Sequence, residues 1–493
     1  MLVRSLAHLS WIMALTITAA TGLAQQKEDQ PDGPALAPAE SLKQFVTSSG
    51  LQITELLAEP KVRQPLFATF DVDGRMWVVQ YLQYPEPAGI KQLSRDNFWR
   101  IVYDRMPKPP GQDVPGADRI TLFETHGDGG EYKEVGDFVS GLNIATSIVP
   151  TSRGAWILQP PYLLFYPDAN GDLKADGPPE VHLQGFGLED THSVVNSLCM
   201  GPDGWLYAAQ GSTVSAAVAN YGSSDPPHKS MGQLIWRYHP DLRKYEIFAE
   251  GGGNSFGVAF DDSGRVFSGH NGGDTRGFHY VQGGYFRKGF SKHGNLSNPY
   301  SFGYLMPMEH DPIQRFTHTL LAANGTNLEA QMPDSLLCVD PLHGTLVNTR
   351  LIPRGSTYRT EDVELALKTT DKWFRPVAIT DGPDGAAYVC DWYDFQVAHL
   401  YAHVGKLDKE HGRIYRVAGT SPGAAWEPQK ARGQDAESLA WLLERLKHPY
   451  RWQRAHARQL IAEHPLRGTA RDTLNKLLHT EGQAALEALW TMH

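Results

Sequence analysis

The stretch Asp203-Gly204-Trp205-Leu206-Tyr207 places a polar residue and a glycine directly before a run of aromatic and apolar residues. The glycine supplies the positive φ that a tight hairpin turn requires, and the residues after it suit a buried strand. The unit recurs along the chain, with its other copies at residues 73–78, 153–157, 263–267, 384–389 and, in a weaker form, 343–347. Such recurrence is typical of a repeat architecture.

Buried-type strands precede several of these turns, at residues 65–70, 255–260 and 375–380. The repeated unit is therefore strand, turn, strand, the inner hairpin of a propeller blade. Six copies predict an all-β six-bladed β-propeller over residues 45–420, a design that leaves only short, protected sheet edges. The alternative is a β-sandwich or a run of unrelated hairpins, but a sandwich rarely needs about 370 residues.

Composition excludes several classes of protein. The chain has 493 residues with 48 glycines and 33 prolines, which disfavours an all-helical fold. Its net charge of −10 comes from 45 basic and 55 acidic residues without a basic stripe, so we expect no nucleic-acid partner. Cys199, Cys338 and Cys390 lie far apart, which excludes zinc ribbons and C-x-x-C redox sites and leaves one disulfide open.

The N-terminus has the pattern of an export signal. Residues 1–4 are positively charged, residues 6–20 are mostly apolar, and small residues precede Gln25, so residues 1–24 are predicted to be a cleaved signal peptide. An uncleaved anchor is the alternative, but the apolar stretch is short for a membrane span. Residues 25–44 are predicted to be a linker. We therefore expect an exported protein, periplasmic or extracellular, with no transmembrane span after cleavage.

The composition changes after a closing strand near residues 412–417. Leucines and alanines at helical spacing predict helices at residues 435–447, 450–463, 469–478 and 483–492. Paired amphipathic helices of this kind resemble HEAT-type repeats, so residues 421–493 are predicted to begin a HEAT-like array. Such an array normally needs about three repeats and a cap, which suggests that the chain is a piece of a longer protein.

A calcium-type pattern occurs once in the sequence. Asp168, Asn170, Asp172 and Asp176 stand at positions one, three, five and nine of a loop, which is the spacing of oxygen ligands for a hard cation. The loop departs from the usual pattern, since position six is Leu173 and position twelve is a proline. We predict a structural calcium ion here; the alternative is a polar turn at a blade edge.

Several polar residues precede or begin predicted inner strands. In a regular propeller they would meet at one end of the central channel, where His192 could act as a general base near neutral pH. The companion residues, predicted to bind an anionic cofactor or a sugar, are Asn143, Asn196, Asn254 and Arg375. The alternative is that each residue satisfies backbone groups at its own strand end.

A second polar and aromatic concentration follows the last inner hairpin. It contains Asp391-Trp392-Tyr393-Asp394 and then His399, His403 and His411. Histidines can bind metal, but these spacings lack a predicted helix to align them, so a metal site is not favoured here.

The segment 192–207 resembles the part of soluble glucose and sorbosone dehydrogenases that carries their catalytic histidine. Those enzymes use pyrroloquinoline quinone. A wider similarity, over about residues 45–493, is to the planctomycete-type membrane-bound dehydrogenase family, whose members typically continue through HEAT repeats into a cytochrome c domain. The further matching segments are 254–267, Trp373-Phe374-Arg375-Pro376, Asp391-Trp392-Tyr393-Asp394 and 411–416.

The resemblance implies a quinoprotein-type oxidoreductase that oxidises a sugar or sugar-derived alcohol or aldehyde. His192 would take the hydroxyl proton as hydride passes to pyrroloquinoline quinone, and electrons would leave to a haem protein such as a cytochrome c. One departure concerns the cofactor, because the related enzymes carry an arginine before the asparagine that matches Asn254, and this chain has Gly253. A non-catalytic, calcium-stabilised propeller that binds a glycan or protein is therefore the rival hypothesis. A cofactor-free hydrolase or lyase is disfavoured, since the inner loops offer no convincing carboxylate pair.

Overall fold

The computed structural model of the protein describes residues 33–97, 100–125, 131–272, 274–287, 304–314, 319–397, 402–403, 405–419 and 425–493. The predicted signal peptide and His399 lie outside these residues. From residue 35 onward the described chain forms one unit. Six antiparallel sheets are arranged in a ring around a central channel, with each innermost strand beside those of the two neighbouring blades. The predicted six-bladed propeller is confirmed.

The chain enters the ring through helix α1 (Pro38–Leu42) and strands β1 (Phe45–Thr47) and β2 (Gln52–Leu57), which join the outer edges of blades 5 and 6. From the centre outward, blade 1 consists of β3 (Pro65–Phe70), β4 (Met76–Gln80), β7 (Asp118–Thr125) and β8 (Tyr132–Leu142), with the hairpin β5 (Gln92–Arg95) and β6 (Ile101–Tyr103) inserted after β4. Blade 2 consists of β9 (Ser147–Thr151), β10 (Gly154–Gln159), β11 (Tyr162–Pro167) and β12 (Glu180–Gln184).

Blade 3 contains an inserted pair of strands that joins the sheet of blade 2. It consists of β13 (Val195–Met200), β14 (Leu206–Gln210), β17 (Leu234–His239) and β18 (Lys244–Glu250), while the inserted β15 (Ala216–Asn220) and β16 (His228–Ser230) extend blade 2. Blade 4 consists of β19 (Ser255–Phe260), β20 (Val266–His270) and β21 (Phe278–Tyr280), and is followed by β22 (Gly284–Tyr285), which pairs with β18.

Blades 5 and 6 complete the ring. Blade 5 consists of β23 (Leu320–Ala322), β24 (Ser335–Asp340), β25 (Thr345–Arg354) and β26 (Thr357–Thr369), with β1 at its outer edge. Blade 6 consists of β27 (Pro376–Asp381), β28 (Ala387–Asp391), β29 (Arg413–Ala418) and the N-terminal β2. Because β2 pairs antiparallel with β29, blade 6 joins distant parts of the chain and closes the ring.

Five of the repeated turns occupy the predicted place between a first and a second strand. Their glycines, Gly74, Gly154, Gly204, Gly264 and Gly385, all have positive φ. The sixth copy differs, because Gly344 connects β24 to β25, the second and third strands of blade 5. The first two strands of that blade are joined instead by the longer connection 323–334. The prediction of an inner hairpin at residues 343–347 is therefore wrong, although the number of blades is right.

The segment predicted to be a linker contains α1, which packs on blade 6. The Ser41 hydroxyl donates to Asp371, 2.5 Å away, and Arg413 reaches both Glu59 and the main-chain oxygen of Leu36. Arg413 is fully buried, with its guanidinium 3.5 Å from the centre of the Tyr393 ring. The residues just before β1 therefore belong to the closure of the ring.

The predicted C-terminal helices are present. They are α3 (Ala436–Arg445), α4 (Arg451–Glu463), α5 (Arg471–Leu478) and α6 (Gln483–Met492). The structure adds a short α2 (Pro428–Ala431) before them and a 3₁₀ turn (Arg467–Ala470) before α5. Asp435 caps α3 through a reciprocal bond pair with Ser438. The HEAT-like character of these helices stays a prediction. In the described part of the chain, no helix combines the length and apolar character needed to cross a membrane.

These helices lie against the turn end of the propeller. The Trp426 indole donates to the main-chain oxygen of Val72, and Arg451 contacts the main-chain oxygen of Asn324. The Tyr450 ring lies against Gly385 so closely that an added Cβ would sit 2.7 Å from it. The helical segment thus covers turns of blades 1, 4, 5 and 6, and leaves the opposite end of the channel for the site described next.

Candidate functional site

A cavity of about 100 Å³ lies where the innermost strands begin. All six blades contribute to its wall, from the inner strand or from the residue just before it: Leu66 and Phe67, Thr146, Asn196 and Ser197, Phe256, Thr319, and Val377 and Ala378. Because every innermost strand reaches it, the cavity is part of the central channel. It lies at the end opposite the repeated turns, which follow the last residues of these strands.

His192 lines this cavity, as the sequence predicted for a channel histidine. Its Nδ1 atom is 3.2 Å from the hydroxyl oxygen of Tyr84, within hydrogen-bond distance. Its main-chain N–H donates to Oδ1 of Asp190, and Asp190 in turn accepts the hydroxyl of Thr213. The Asp190 carboxylate therefore fixes the turn before β13, which carries His192. The His192 ring faces Tyr84 of blade 1.

Two further aromatic side chains, Tyr81 and Trp392, pack against the Tyr84 ring of this pair. Tyr81 and Tyr84 stack with ring centres 5.5 Å apart, and Trp392 meets them edge-on at 6.0 Å and 5.9 Å. All three are buried. Burial is the main cause that raises the pKa of Tyr84 far above its usual value, with the carboxylates of Asp190 and Asp394 adding to the shift. The phenol therefore keeps its proton at neutral pH.

The side chains of Asn196 and Asn254 both bond to other groups of the protein. Asn196 faces the cavity, accepts the main-chain N–H of Gly257 and donates to the main-chain oxygen of Ser255, so it ties blade 3 to blade 4. Asn254 is buried outside the cavity wall, where its Oδ1 accepts the hydroxyl of Ser193. Of the predicted cofactor-binding residues in blades 3 and 4, only Asn196 reaches the cavity.

Asn143 and Arg375 are likewise placed away from the cavity wall. Asn143 bonds to both the N–H and the oxygen of Ala88, and so holds the segment 82–88, which we call the tyrosine loop because it carries Tyr84. Arg375 points its guanidinium at the main-chain oxygens of Phe374 and Phe395. The structure therefore does not bring these two residues to His192. Asn143 bonds to the loop after β4, and Arg375 bonds to main-chain oxygens beside its own strand and after β28.

Residues that the sequence analysis missed make up much of the site. Tyr81 directly follows β4 and Trp392 directly follows β28, the second strands of blades 1 and 6. Since second strands run antiparallel to the innermost ones, their last residues reach the same end of the channel as His192. Aromatic residues at that position were the available signal. Gln396 and Lys406 also line the cavity, from the connection between β28 and β29.

The predicted calcium ligands mostly bond to their own loop. Asp168 accepts the main-chain N–H groups of Gly171, Asp172 and Leu173, Asn170 accepts that of Asp172, and Asp176 accepts that of Ala169. Within the described ranges, no three His, Cys, Asp or Glu side chains are gathered as a metal ion would require. Main-chain bonds of this kind also occur in a polar turn, the alternative that the sequence left open, so the calcium ion stays a prediction.

The second polar concentration forms a buried network. Asp391 accepts the main-chain N–H groups of Arg375 and Tyr393, and burial raises its pKa to about 7. His411 bonds to Asp408 at 3.0 Å. These contacts hold blade 6 and the closing residues in place. Cys199, Cys338 and Cys390 are all free thiols.

The described residues do not fit pyrroloquinoline quinone, whose three carboxylates call for cationic partners. Of the lysines and arginines that the structure describes, Lys406 alone lines the cavity. Beside Gly253 the ring of His270 fills the available space, because an added Cβ would lie 1.4 Å from its Nδ1 atom. The position at which the dehydrogenases that the sequence resembles carry an arginine therefore has no room for one without displacement of His270.

Fold and site together define a six-bladed β-propeller with a histidine and aromatic residues around its central cavity. The chain belongs to the family described as "Domain of unknown function (DUF7133)", which matches residues 37–421. None of the curated proteins matches the sequence.

Solved structures with a similar fold include three sugar-dehydrogenase propellers. The holo PQQ domain of pyranose dehydrogenase from Coprinopsis cinerea has a TM-score of 0.47 and 10% identity, over 76% of this chain and 97% of that one. A Thermus thermophilus protein described as an oxidoreductase (glucose dehydrogenase) has a TM-score of 0.40 and 18% identity, over 75% and 100% of the two chains. The PQQ-bound aldose sugar dehydrogenase from Streptomyces coelicolor has a TM-score of 0.37 and 14% identity, over 76% and 99%.

Proposed function

We propose that this chain is an exported oxidoreductase that oxidises a hydroxyl or aldehyde group of a sugar or sugar-derived molecule, with His192 as the proton acceptor. The observation that carries the proposal is the position of His192 in the wall of the central cavity, with Nδ1 3.2 Å from the Tyr84 hydroxyl. An imidazole held in this way is suited to accept a proton near neutral pH.

The surrounding residues support a role in proton transfer. When Nδ1 carries its hydrogen and donates to the phenol oxygen of Tyr84, Nε2 keeps a lone pair that can accept the substrate hydroxyl proton. The rings of Tyr81, Tyr84 and Trp392 exclude water and offer flat apolar faces to a sugar. Thr146 and Thr319 add hydroxyl groups to the same wall.

Oxidation of an alcohol carbon also requires a hydride acceptor. The sequence resemblance implies pyrroloquinoline quinone, with electrons passing to a haem protein such as a cytochrome c. Because Lys406 is the one described lysine or arginine in the cavity wall, against three quinone carboxylates, no residue of this chain is assigned to that cofactor.

A dye-linked assay on the wild-type protein tests the proposal. We expect dye reduction that depends on one member of a panel of aldoses, uronic acids and polyols, measured with and without added pyrroloquinoline quinone. Calorimetric titration of the quinone into the same protein measures cofactor binding separately. Absence of sugar-dependent reduction under every condition would reject the oxidoreductase.

A second candidate function is a propeller that binds a carbohydrate without turning it over. The contact between Gly253 and His270 favours this candidate, since it closes the position where related enzymes carry a cofactor-binding arginine. Calorimetry with the sugar panel distinguishes the two. A sugar that binds and is not oxidised, with binding weakened in Trp392→Ala, would support the binding protein.

The proposal keeps the predicted calcium ion at residues 168–176 as a structural ion, on the sequence spacing alone. If calcium binds there, 5 mM calcium should raise the melting temperature above that in excess chelator, because the ion binds only the folded loop. The variant Asp168→Asn should remove this difference, while Asp225→Asn, at an exposed turn, should retain it. Equal melting temperatures with calcium and with chelator would show that the loop is a self-bonded turn.

A further inference from the structure

Asp118 joins two segments of the cavity wall from a position with no exposed surface. Its Oδ1 atom accepts the main-chain N–H of Gln83 at 2.6 Å, and its Oδ2 atom accepts that of Ala145 at 2.8 Å. Gln83 directly precedes Tyr84, and Ala145 directly precedes Thr146. Both of these following residues line the cavity. One carboxylate at the start of β7 therefore fixes two neighbouring wall segments relative to each other.

We infer that Asp118 is a positioning residue of this site, which holds Tyr84 in contact with His192 and Thr146 in the cavity wall. The inference extends the proposed function. Only the expected effect on activity rests on that function, whereas the positioning of Tyr84 and Thr146 does not. A hydrogen bond from a main-chain N–H to a carboxylate is stronger than one to a neutral acceptor, and a buried one leaves a costly unpaired donor when it is removed. Loss of the carboxylate therefore frees the backbone on the N-terminal side of Tyr84.

Other contacts hold the rest of the tyrosine loop and leave this role to Asp118. Lys409 donates to the main-chain oxygen of Leu82, the Thr191 hydroxyl donates to that of Pro85, and Asn143 bonds to Ala88. These contacts fix the two ends of the loop and the residue that follows Tyr84. Asp118 contacts the residue next to Tyr84, so its loss should act on the Tyr84 ring more than on the fold.

The charge on Asp118 gives the arrangement a pH dependence. Burial raises its pKa to about 7, although main-chain N–H bonds from Gln83 and Ala145 and the nearby Lys409 ammonium lower it. Tyr81 also faces this carboxylate, and its pKa is raised as well, so the phenol stays neutral. As the pH falls from 8 to 6, the carboxyl gains a proton and one oxygen becomes a donor, which weakens an N–H bond. Because the folded pKa lies above the ordinary one, the stability that the neutral form contributes is lost as the pH rises through about 7.

Nuclear magnetic resonance of the wild-type protein tests the geometry directly. The amide signals of Gln83 and Ala145 should titrate together with one midpoint near pH 7, because both report on the same carboxyl group. Separate midpoints for the two amides would overturn the inference, because a single carboxyl group cannot give two midpoints. This arm requires no variant and no substrate.

Variants test the effect on the site. At pH 8, the imidazole ¹⁵N signals of His192 in Asp118→Asn should move toward those of Tyr84→Phe, which lacks the phenol oxygen. The control Asp137→Asn replaces a carboxylate of the same blade that bonds to Thr121, away from the loop, and should leave these signals unchanged. Wild-type His192 signals in a folded Asp118→Asn protein would refute the positioning role.

Activity gives an independent readout. If the wild-type enzyme oxidises a sugar, Asp118→Asn should lower kcat by about tenfold with a smaller change in KM, because the site is misplaced and not removed. In the pH profile of Asp118→Asn, kcat on the acid side should also no longer depend on a group with a pKa near 7. Unchanged kcat would overturn the effect on activity. An inactive wild-type protein would reject the proposed function, while the two spectroscopic experiments would still decide the role of Asp118.

Discussion

His192→Gln is expected to lower kcat/KM for the oxidised sugar by about 10²- to 10⁴-fold, the usual contribution of a general base. Glutamine approximates the size and hydrogen-bonding capacity of the imidazole, but its amide cannot accept a proton near neutral pH. The loss should fall mainly on kcat, because the aromatic wall formed by Tyr81, Tyr84 and Trp392 is left intact. Steady-state dye reduction with the sugar identified for the wild-type protein measures the effect.

Two companion variants separate proton transfer from packing. Tyr84→Phe keeps the ring stacked on Tyr81 and removes only the hydroxyl beside Nδ1, so its loss should be smaller, about tenfold. His228→Gln changes an exposed histidine on β16 and should be indistinguishable from the wild-type protein. If His192→Gln keeps its full kcat/KM, the histidine is structural and the proton acceptor lies elsewhere.

The blades were predictable from the sequence because their turns follow a local rule. A glycine with positive φ after a polar residue marks the hairpin, and five of six copies mark the first hairpin of a blade. Blade 5 does not follow this rule, because its first two strands are joined by residues 323–334. The path of that connection depends on packing against other parts of the chain. For example, Asn327 bonds to the main-chain oxygen of Asp384 in blade 6.

The site was less predictable because a polar side chain near a channel can either face the channel or bond to other groups of the protein. Asn143, Asn254 and Arg375 lie close to where the strand rule put them, yet their side chains bond to groups of the chain itself. A buried main-chain group that lacks a partner is costly, and sequence alone does not show which such groups need one. His192 and Asn196 reach the cavity, and only geometry separates them from the other three.

The remaining site residues depend on contacts between distant parts of the sequence. Tyr84 and His192 are 108 positions apart, and their contact joins the loop after β4 of blade 1 to the turn before β13 of blade 3. Asp118 resembles any acidic residue at the start of a strand until the folded chain places Gln83 and Ala145 around it. The aromatic residues after β4 and β28 could have been found, had the antiparallel course of the second strands been used.

Arg454→Met should destabilise the docking of the C-terminal helices by about 3–5 kcal/mol, the usual result of breaking a buried ion pair. The Arg454 side chain is 3% exposed and that of its partner Glu487 is 1% exposed, with 2.8 Å between their charged atoms. Its guanidinium also bonds to Asp262 of blade 4 at 2.7 Å and to the main-chain oxygen of His448. One side chain therefore links α4, α6 and the propeller.

Methionine fills a similar volume, but it leaves the carboxylates of Glu487 and Asp262 with fewer cationic partners. The cost of keeping these charges away from water without a full set of partners dominates the effect. Urea unfolding followed by tryptophan fluorescence measures the loss, and limited proteolysis shows whether the helices detach before the propeller unfolds. Arg467→Met is the matched control, because that arginine is exposed in the 3₁₀ turn and its replacement should cost less than about 0.5 kcal/mol.

The double variant Arg454→Met with Glu487→Leu should be less destabilised than the sum of its single variants, since it removes both charges of the pair. A loss below about 1 kcal/mol in Arg454→Met would mean that packing of residues such as Trp426, Tyr450 and Trp490 holds the helices on the propeller without this ion pair.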